Sequence, residues 1–215
     1  MTESNLAFSE TRFACLDFET TGFSSRSNRV VEVAIVIVEN GEIGESWTTL
    51  IDPGDGHELG ATHIHGIQRE WLADAPSFTE IAGDIYEHLD RSVIVAHNAD
   101  FDIRFLHAEM ERAGYLPKGL LFPNWDSRKA ASYAPMELPS RKLHDVATAF
   151  GINITNAHQA LDDTYAVAEI VVALTALVGE EIRFERLFIS PGKPDASGRF
   201  ALRPSQSDAM GIEVG

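Results

Sequence analysis

One run of apolar residues constrains the fold more than any other part of the chain. Residues 30–39 read Val-Val-Glu-Val-Ala-Ile-Val-Ile-Val-Glu, a β-branched and nearly continuous apolar segment that predicts a strand. Asn40-Gly41 follows it, and this pair is typical of a tight hairpin turn. The pattern therefore predicts a hairpin into another strand at about residues 43–51, preceded by a short buried strand at residues 12–17.

Helices and strands alternate after this hairpin. Ser77-Phe-Thr-Glu80 has the form of a capping box and predicts a helix that runs to about Leu89. Further along, we expect strands at residues 93–96 and 124–126 and helices at residues 101–113, 142–150 and 160–178. Strands that first form a meander and then alternate with helices favour an α/β fold with a mixed sheet flanked by helices.

The chain divides into three parts by its composition and its hydrophobic periodicity. Its 215 residues suit a single α/β domain, which we place at residues 12–179. Residues 1–11 form an N-terminal leader in this interpretation. Residues 180–215 are rich in proline and glycine with little periodicity, so we expect a flexible C-terminal tail, partly disordered or partner-binding. The aromatic and aliphatic cluster at residues 184–188 would be its docking segment.

Composition limits the location and the partners. No apolar stretch is long enough to span a bilayer, and the polar N-terminus does not resemble a secretory signal, so we expect a cytoplasmic protein with no membrane partner. Cys15, the only cysteine, lies in an apolar run and is expected to be buried. The formal net charge of −16 argues against binding along a long stretch of duplex nucleic acid and favours contact with only a short stretch of substrate.

Two carboxylates end the first strand. Asp17 and Glu19 are two residues apart, so both side chains point to the same face of the sheet. Their mutual repulsion would be relieved by a divalent cation, and Mg²⁺ and Mn²⁺ prefer oxygen ligands. The alternative is that both residues merely end the strand and face water, and this pair alone does not separate the two interpretations.

Two later segments carry similar groups. Asp102 lies in the first turn of a predicted helix, where an acidic residue can also serve only to stabilise the helix. His158 and Asp163 are five residues apart and can share a site only if His158 lies on the loop before the last helix. A histidine near acidic neighbours could then act as a general base, although a lone histidine before a helix is usually structural.

Taken together, three motifs in order resemble the DEDDh-type, DnaQ-like 3′–5′ exonucleases, a family that includes the proofreading epsilon subunit of bacterial DNA polymerase III. The motifs are Asp17-Phe-Glu-Thr-Thr-Gly22, His97-Asn-Ala-Asp-Phe-Asp102 and His158-Gln-Ala-Leu-Asp-Asp163. The resemblance implies an RNase H-like fold and two divalent cations, Mg²⁺ or Mn²⁺. It further implies that Asp17, Glu19, Asp102 and Asp163 hold the metals, and that His158 accepts a proton from the attacking water.

The same resemblance implies a substrate and its contacts. We expect hydrolysis of phosphodiester bonds at single-stranded 3′ ends, releasing nucleoside 5′-monophosphates, in DNA proofreading or repair. Carried over from the family, the terminal nucleotide would be bound by Thr20, Thr21 and His65, with Phe101 or Phe105 packing on a base. A DNA polymerase subunit is the expected protein partner. Two alternatives stay open: an exoribonuclease that trims RNA or short oligonucleotides, and a non-catalytic module that docks on a polymerase.

Overall fold

A mixed sheet of five strands lies at the centre of the protein. The computed structural model describes residues 6–115, 122–154, 159–184 and 197–203. In chain order the strands are β1 (Leu6–Ala7), β2 (Phe13–Thr20), β3 (Val30–Glu39), β4 (Glu42–Leu50), β5 (Val93–Ala96), β6 (Asn124–Asp126) and β7 (Arg183–Phe184). The helices are α1 (Thr62–His65), α2 (Phe78–Leu89), α3 (Ala99–Arg112), α4 (Leu143–Ala149) and α5 (Ala160–Val178).

The central sheet has the strand order β4-β3-β2-β5-β6. The first three strands form an antiparallel meander, whereas β2, β5 and β6 run parallel. Asn40 and Gly41 connect β3 to β4 with φ angles of 54° and 76°. Positive φ at both positions is what a type I′ hairpin turn requires, so the predicted hairpin is confirmed. The predicted α/β class with a mixed sheet is also confirmed.

Helices cover both faces of the sheet. Phe13 and Cys15 of β2 point into one apolar layer, which contains residues of α4 and α5. Leu16 and Phe18 point into the opposite layer, against α2 and α3. Because β3 is covered on both sides, its apolar run is almost continuous rather than alternating. Cys15 is fully buried, as expected.

The ends of the domain pack against it where the structure describes them. β1 pairs with β7 in a separate two-stranded sheet, and Phe8 is 1% exposed. Its ring lies 4.5 Å from that of Phe13 and 5.9 Å from that of Phe184. Ala7 and Phe8 of the proposed leader are therefore part of the buried apolar core, which the short, aperiodic sequence of this segment did not suggest.

Residues 197–203 of the proposed tail also lie on the domain. The Ala201 carbonyl accepts a hydrogen bond from Leu50 N at 2.6 Å, and the Ser197 and Gly198 amides donate to Asp84. Most of the proposed docking cluster, residues 185–188, falls outside the described residues. The boundaries at residues 11 and 179 stay predictions.

Within the described ranges, no helix is both long and apolar enough to cross a membrane.

Candidate active site

Asp17 and Glu19 lie near the carboxyl end of β2, on the face that α5 covers. This is the face of Phe13 and Cys15, and both carboxylates keep part of their surface open. Burial, followed by the charges of Asp163 and Glu32, raises the pKa of Asp17 from 3.8 to about 8. Burial and the charges of Asp17 and Glu32 raise the pKa of Glu19 to about 9. The two groups therefore resist ionisation together unless a positive charge joins them.

Asp102 approaches the same end of β2 from the opposite layer. It lies in the first turn of α3 and is 1% exposed. Its carboxylate accepts a hydrogen bond from Phe18 N at 3.2 Å, between Asp17 and Glu19 in sequence. Burial, and then the charge of Asp17, raise the pKa of Asp102 well above its ordinary value, although the Phe18 bond opposes this. The contact with Phe18 places Asp102 beside the first motif.

Asp163 completes the set of four carboxylates. It lies in the first turn of α5, partly buried, and its charge raises the pKa values of both Asp17 and Glu19. Asp163 affects both pKa values because α5 packs on the face of β2 that carries Asp17 and Glu19. His158, the predicted general base, lies outside the described residues.

Glu32 is a fifth carboxylate at this site, and sequence reasoning missed it. It is the Cα partner of Glu19 across β2 and β3, and its side chain is fully buried. Both oxygens of Glu32 accept hydrogen bonds from Arg203, at 2.7 and 2.8 Å. The sequence signal that could have identified Glu32 is its position as the single acidic residue within the apolar run of residues 30–38.

The predicted nucleotide contacts have different environments. Thr20 donates to the Gly22 carbonyl, and Thr21 accepts from Arg29 N, so both hydroxyls hold the turn after β2. His65 is buried, and its Nδ1 accepts from Ile67 N at 3.0 Å. These contacts leave their substrate-binding roles as predictions.

The two aromatic candidates differ in exposure. Phe105 is 1% exposed and belongs to the core, whereas Phe101 is partly exposed and its ring lies 4.9 Å from that of Phe105. Of these two rings, Phe101 is the one with surface to offer to a base. The packing of a base on either ring stays a prediction.

The chemistry of the donors suits a hard divalent cation. The four carboxylates supply oxygen ligands, which Mg²⁺ and Mn²⁺ prefer, and a cation would relieve the repulsion that raises their pKa values. In the described part of the chain, no three His, Cys, Asp or Glu side chains are already gathered into a metal-binding group. The carboxylates therefore lie within electrostatic range of one another without forming a closed ligand cage.

Comparison with known proteins identifies the family. A family model described as "Exonuclease" (RNase_T) matches residues 14–171, which include Asp17, Asp102 and Asp163. The chain belongs to the exonuclease family. The prediction of a DEDDh-type, DnaQ-like 3′–5′ exonuclease is thereby confirmed at the level of the family.

The relatives of this exonuclease domain include much longer proteins. The PolC-type DNA polymerase III of Clostridium perfringens is 35% identical over 159 residues, which are 74% of this chain and 11% of that protein. The PolC-type enzyme of Thermotoga maritima is 29% identical over 201 residues, covering 92% of this chain and 14% of that protein. The chain thus spans a small part of these curated relatives.

Solved structures support the fold. A zinc-bound complex of Escherichia coli exonuclease I with single-stranded DNA superposes with a TM-score of 0.68 at 23% identity, over 78% of this chain and 41% of that one. The free form of exonuclease I superposes with a TM-score of 0.66 at 21% identity, over 78% of this chain and 42% of that one. The predicted RNase H-like exonuclease fold is confirmed.

Proposed function

We propose that this exonuclease domain is a metal-dependent enzyme that hydrolyses phosphodiester bonds at single-stranded 3′ ends and releases nucleoside 5′-monophosphates. The observation that supports the proposal is that four carboxylates lie close enough at one end of β2 to affect one another's pKa values. Two come from β2 and two from the first turns of α3 and α5: Asp17, Glu19, Asp102 and Asp163. Such mutual repulsion is costly for folding and is typical of a site that works with cations.

Each carboxylate has a distinct place in this proposal. Asp17, Glu19 and Asp163 share the α5 face of the sheet and would hold one cation, while Asp102 would act from the α3 side near a second. When bound, two divalent cations stabilise charge on both the attacking and the leaving oxygen of a phosphodiester. His158 would accept the proton of the attacking water. Thr20, Thr21, His65 and Phe101 would bind the terminal nucleotide.

DNA is the proposed substrate, in proofreading or repair beside a polymerase. The curated relatives are DNA polymerases, and the related exonuclease I was crystallised with single-stranded DNA. A cavity of about 410 Å³ lined by Asp126, Arg128, Lys129 and Arg141 adds local positive charge to an otherwise acidic chain. It adjoins the second motif, because His97 contacts Ser127 and the Arg141 carbonyl. A short single strand is the ligand that such a small basic surface suits.

The test is digestion of 3′-labelled and 5′-labelled single-stranded DNA and RNA in Mg²⁺, Mn²⁺ or EDTA. We expect metal-dependent shortening from the 3′ end, faster on DNA, by the wild type and by Asp74→Asn, which changes an exposed carboxylate outside the three motifs. Asp17→Asn should lose this activity. Shortening from the 5′ end, or activity that persists in EDTA, would contradict the mechanism. Faster digestion of RNA would favour the exoribonuclease alternative, and no cleavage of either polymer would favour the docking module.

A further inference from the structure

Arg203 places a buried positive charge beside the candidate active site from the far end of the described chain. Its side chain is 6% exposed, and its guanidinium holds Glu32 through two bonds, Nε to Oε1 at 2.7 Å and Nη2 to Oε2 at 2.8 Å. Its third nitrogen, Nη1, donates to the His65 carbonyl at 2.7 Å. One side chain thus joins β3 to the α1 segment.

Glu32 needs such a partner because of its position in the sheet. Residues directly opposite one another in an antiparallel pair point to the same face, and like charges there are unfavourable. Glu32 stands opposite Glu19 in this way, and Asp17 is two residues further along the same face of β2. Without Arg203, Glu32 would therefore add a fifth negative charge, uncompensated by its ion pair, beside the four other carboxylates.

The segment that carries Arg203 is anchored along its length. Ser197 and Gly198 donate to the Asp84 carboxylate at 2.9 and 3.0 Å, and Ala201 exchanges hydrogen bonds with the end of β4. Glu32 in turn accepts a hydrogen bond from Ala160 N, at the start of the helix that carries Asp163. The contacts thus connect residues 197–203 to α2, β4, β3 and α1, and through Glu32 to the start of α5.

We propose that Arg203 is a positioning residue of the active site. By occupying both carboxylate oxygens of Glu32, it keeps this group out of the cation-binding set, so that Asp17, Glu19, Asp102 and Asp163 alone form it. The inference rests on the proposed function in that it assumes this set binds divalent cations. An ordinary structural ion pair would predict only a loss of stability when either partner is changed.

The test compares Arg203→Gln, Glu32→Gln, the double variant and the control Arg199→Gln. Arg199 lies in the same segment, carries the same charge, and pairs with exposed Glu80 on the surface. For each folded protein, two quantities are measured: the dissociation constant for Mn²⁺ without substrate, and kcat and KM on a single-stranded oligonucleotide.

In Arg203→Gln, the freed Glu32 should tighten Mn²⁺ binding by about threefold or more, because affinity rises with the number of charged ligands. The same variant should lose roughly 10- to 100-fold in kcat with little change in KM, since small displacements of catalytic groups have effects of this size. Adding Glu32→Gln should reverse most of both effects, and Arg199→Gln should match the wild type in both.

The inference would be overturned by wild-type Mn²⁺ affinity and kcat in folded Arg203→Gln, or by failure of the added Glu32→Gln to reverse the changes. Where Arg203→Gln does not fold, Arg203→Lys replaces it, because lysine keeps the charge without the two-pronged contact. Wild-type Mn²⁺ affinity and kcat in Arg203→Lys would likewise refute the role. If the wild type cleaves no polymer, the proposed function fails, and the Mn²⁺ titration still decides the role of Arg203. Absence of Mn²⁺ binding in every variant would also refute it.

Discussion

Glu109 is a second buried carboxylate on α3, and its removal should destabilise the domain in a predictable way. It is 1% exposed and lies seven residues after Asp102. Its oxygens accept from Arg29 Nε at 2.7 Å, from Arg29 Nη2 at 3.0 Å and from Val30 N at 3.2 Å. Glu109→Ala would leave the Arg29 guanidinium and the Val30 amide without this acceptor.

The size of the effect follows from the burial of the two partners. Removing one partner of a buried ion pair costs about 3–5 kcal/mol. The Arg29 side chain is 23% exposed, so it can recover some hydration, which places the expected loss near the lower end, about 3 kcal/mol. In a domain of this size, each kcal/mol lowers Tm by roughly 2–4 °C, so a decrease of about 6–12 °C is expected.

The same change should reach the first motif. Arg29 N donates to the Thr21 hydroxyl at 3.0 Å, and Thr21 N donates to the Arg29 carbonyl at 2.9 Å. Loosening Arg29 should therefore disturb the turn that carries Thr20 and Thr21, and we expect a higher KM for an oligonucleotide with a smaller change in kcat.

Urea unfolding and thermal melts of Glu109→Ala would measure the loss, with Glu111→Ala as the control because Glu111 is exposed on the same helix. The two variants should differ by about 3 kcal/mol in the free energy of unfolding. A Glu109→Ala variant as stable as the control, within the usual error of the method, would show that the Arg29 contact contributes nothing to folding.

Three further predictions concern the carboxylates and the base. Asp17→Asn should abolish metal-dependent cleavage while leaving the metal-free protein at least as stable as the wild type, because it removes a repelled charge; a lower midpoint in urea would contradict this. Burial opposes ionisation of Asp84, but hydrogen bonds from Ser197 and Gly198 outweigh it and lower the Asp84 pKa below 3.8. The ionised group therefore stabilises folding at neutral pH. The stability difference between wild type and Asp84→Asn should shrink as pH falls below 3.8, and a difference independent of pH would refute the coupling. Finally, His158→Ala should lower turnover strongly while Mn²⁺ binding survives, and an unchanged pH–rate profile would exclude His158 as the base.

Several parts of the fold could be predicted from the local sequence. The hairpin at Asn40-Gly41 follows from turn chemistry, and α2 begins at Phe78 with the predicted capping box between Ser77 and Glu80, which the structure contains. Predicted and observed elements agree to within a few residues, for instance α5 at Ala160–Val178. These features depend on neighbours only a few positions apart, so the sequence pattern is sufficient to predict them.

The placement of residues 6–10, 183–184 and 197–203 could not be predicted in the same way. Phe8 and Phe184 pack together, and Arg203 reaches a glutamate 171 positions away. Short segments without periodicity give no indication of the surface on which they pack. Their partners depend on the shape and charge of the surface that the assembled sheet and helices present.

The sequence by itself determined the order of the five strands of the central sheet and of helices α2 to α5, the common face of Asp17 and Glu19, and the three motifs that identify the family, because alternation and helical periodicity are local. Only the tertiary structure decided that Asp102 contacts Phe18, that Phe105 is buried beneath Phe101, and that Glu32 is held by Arg203. The Asp102–Phe18 and Glu32–Arg203 contacts join residues far apart in sequence, and the burial of Phe105 depends on what packs against its side of α3. The energy of a buried charge likewise depends on all groups around it rather than on its neighbours in sequence.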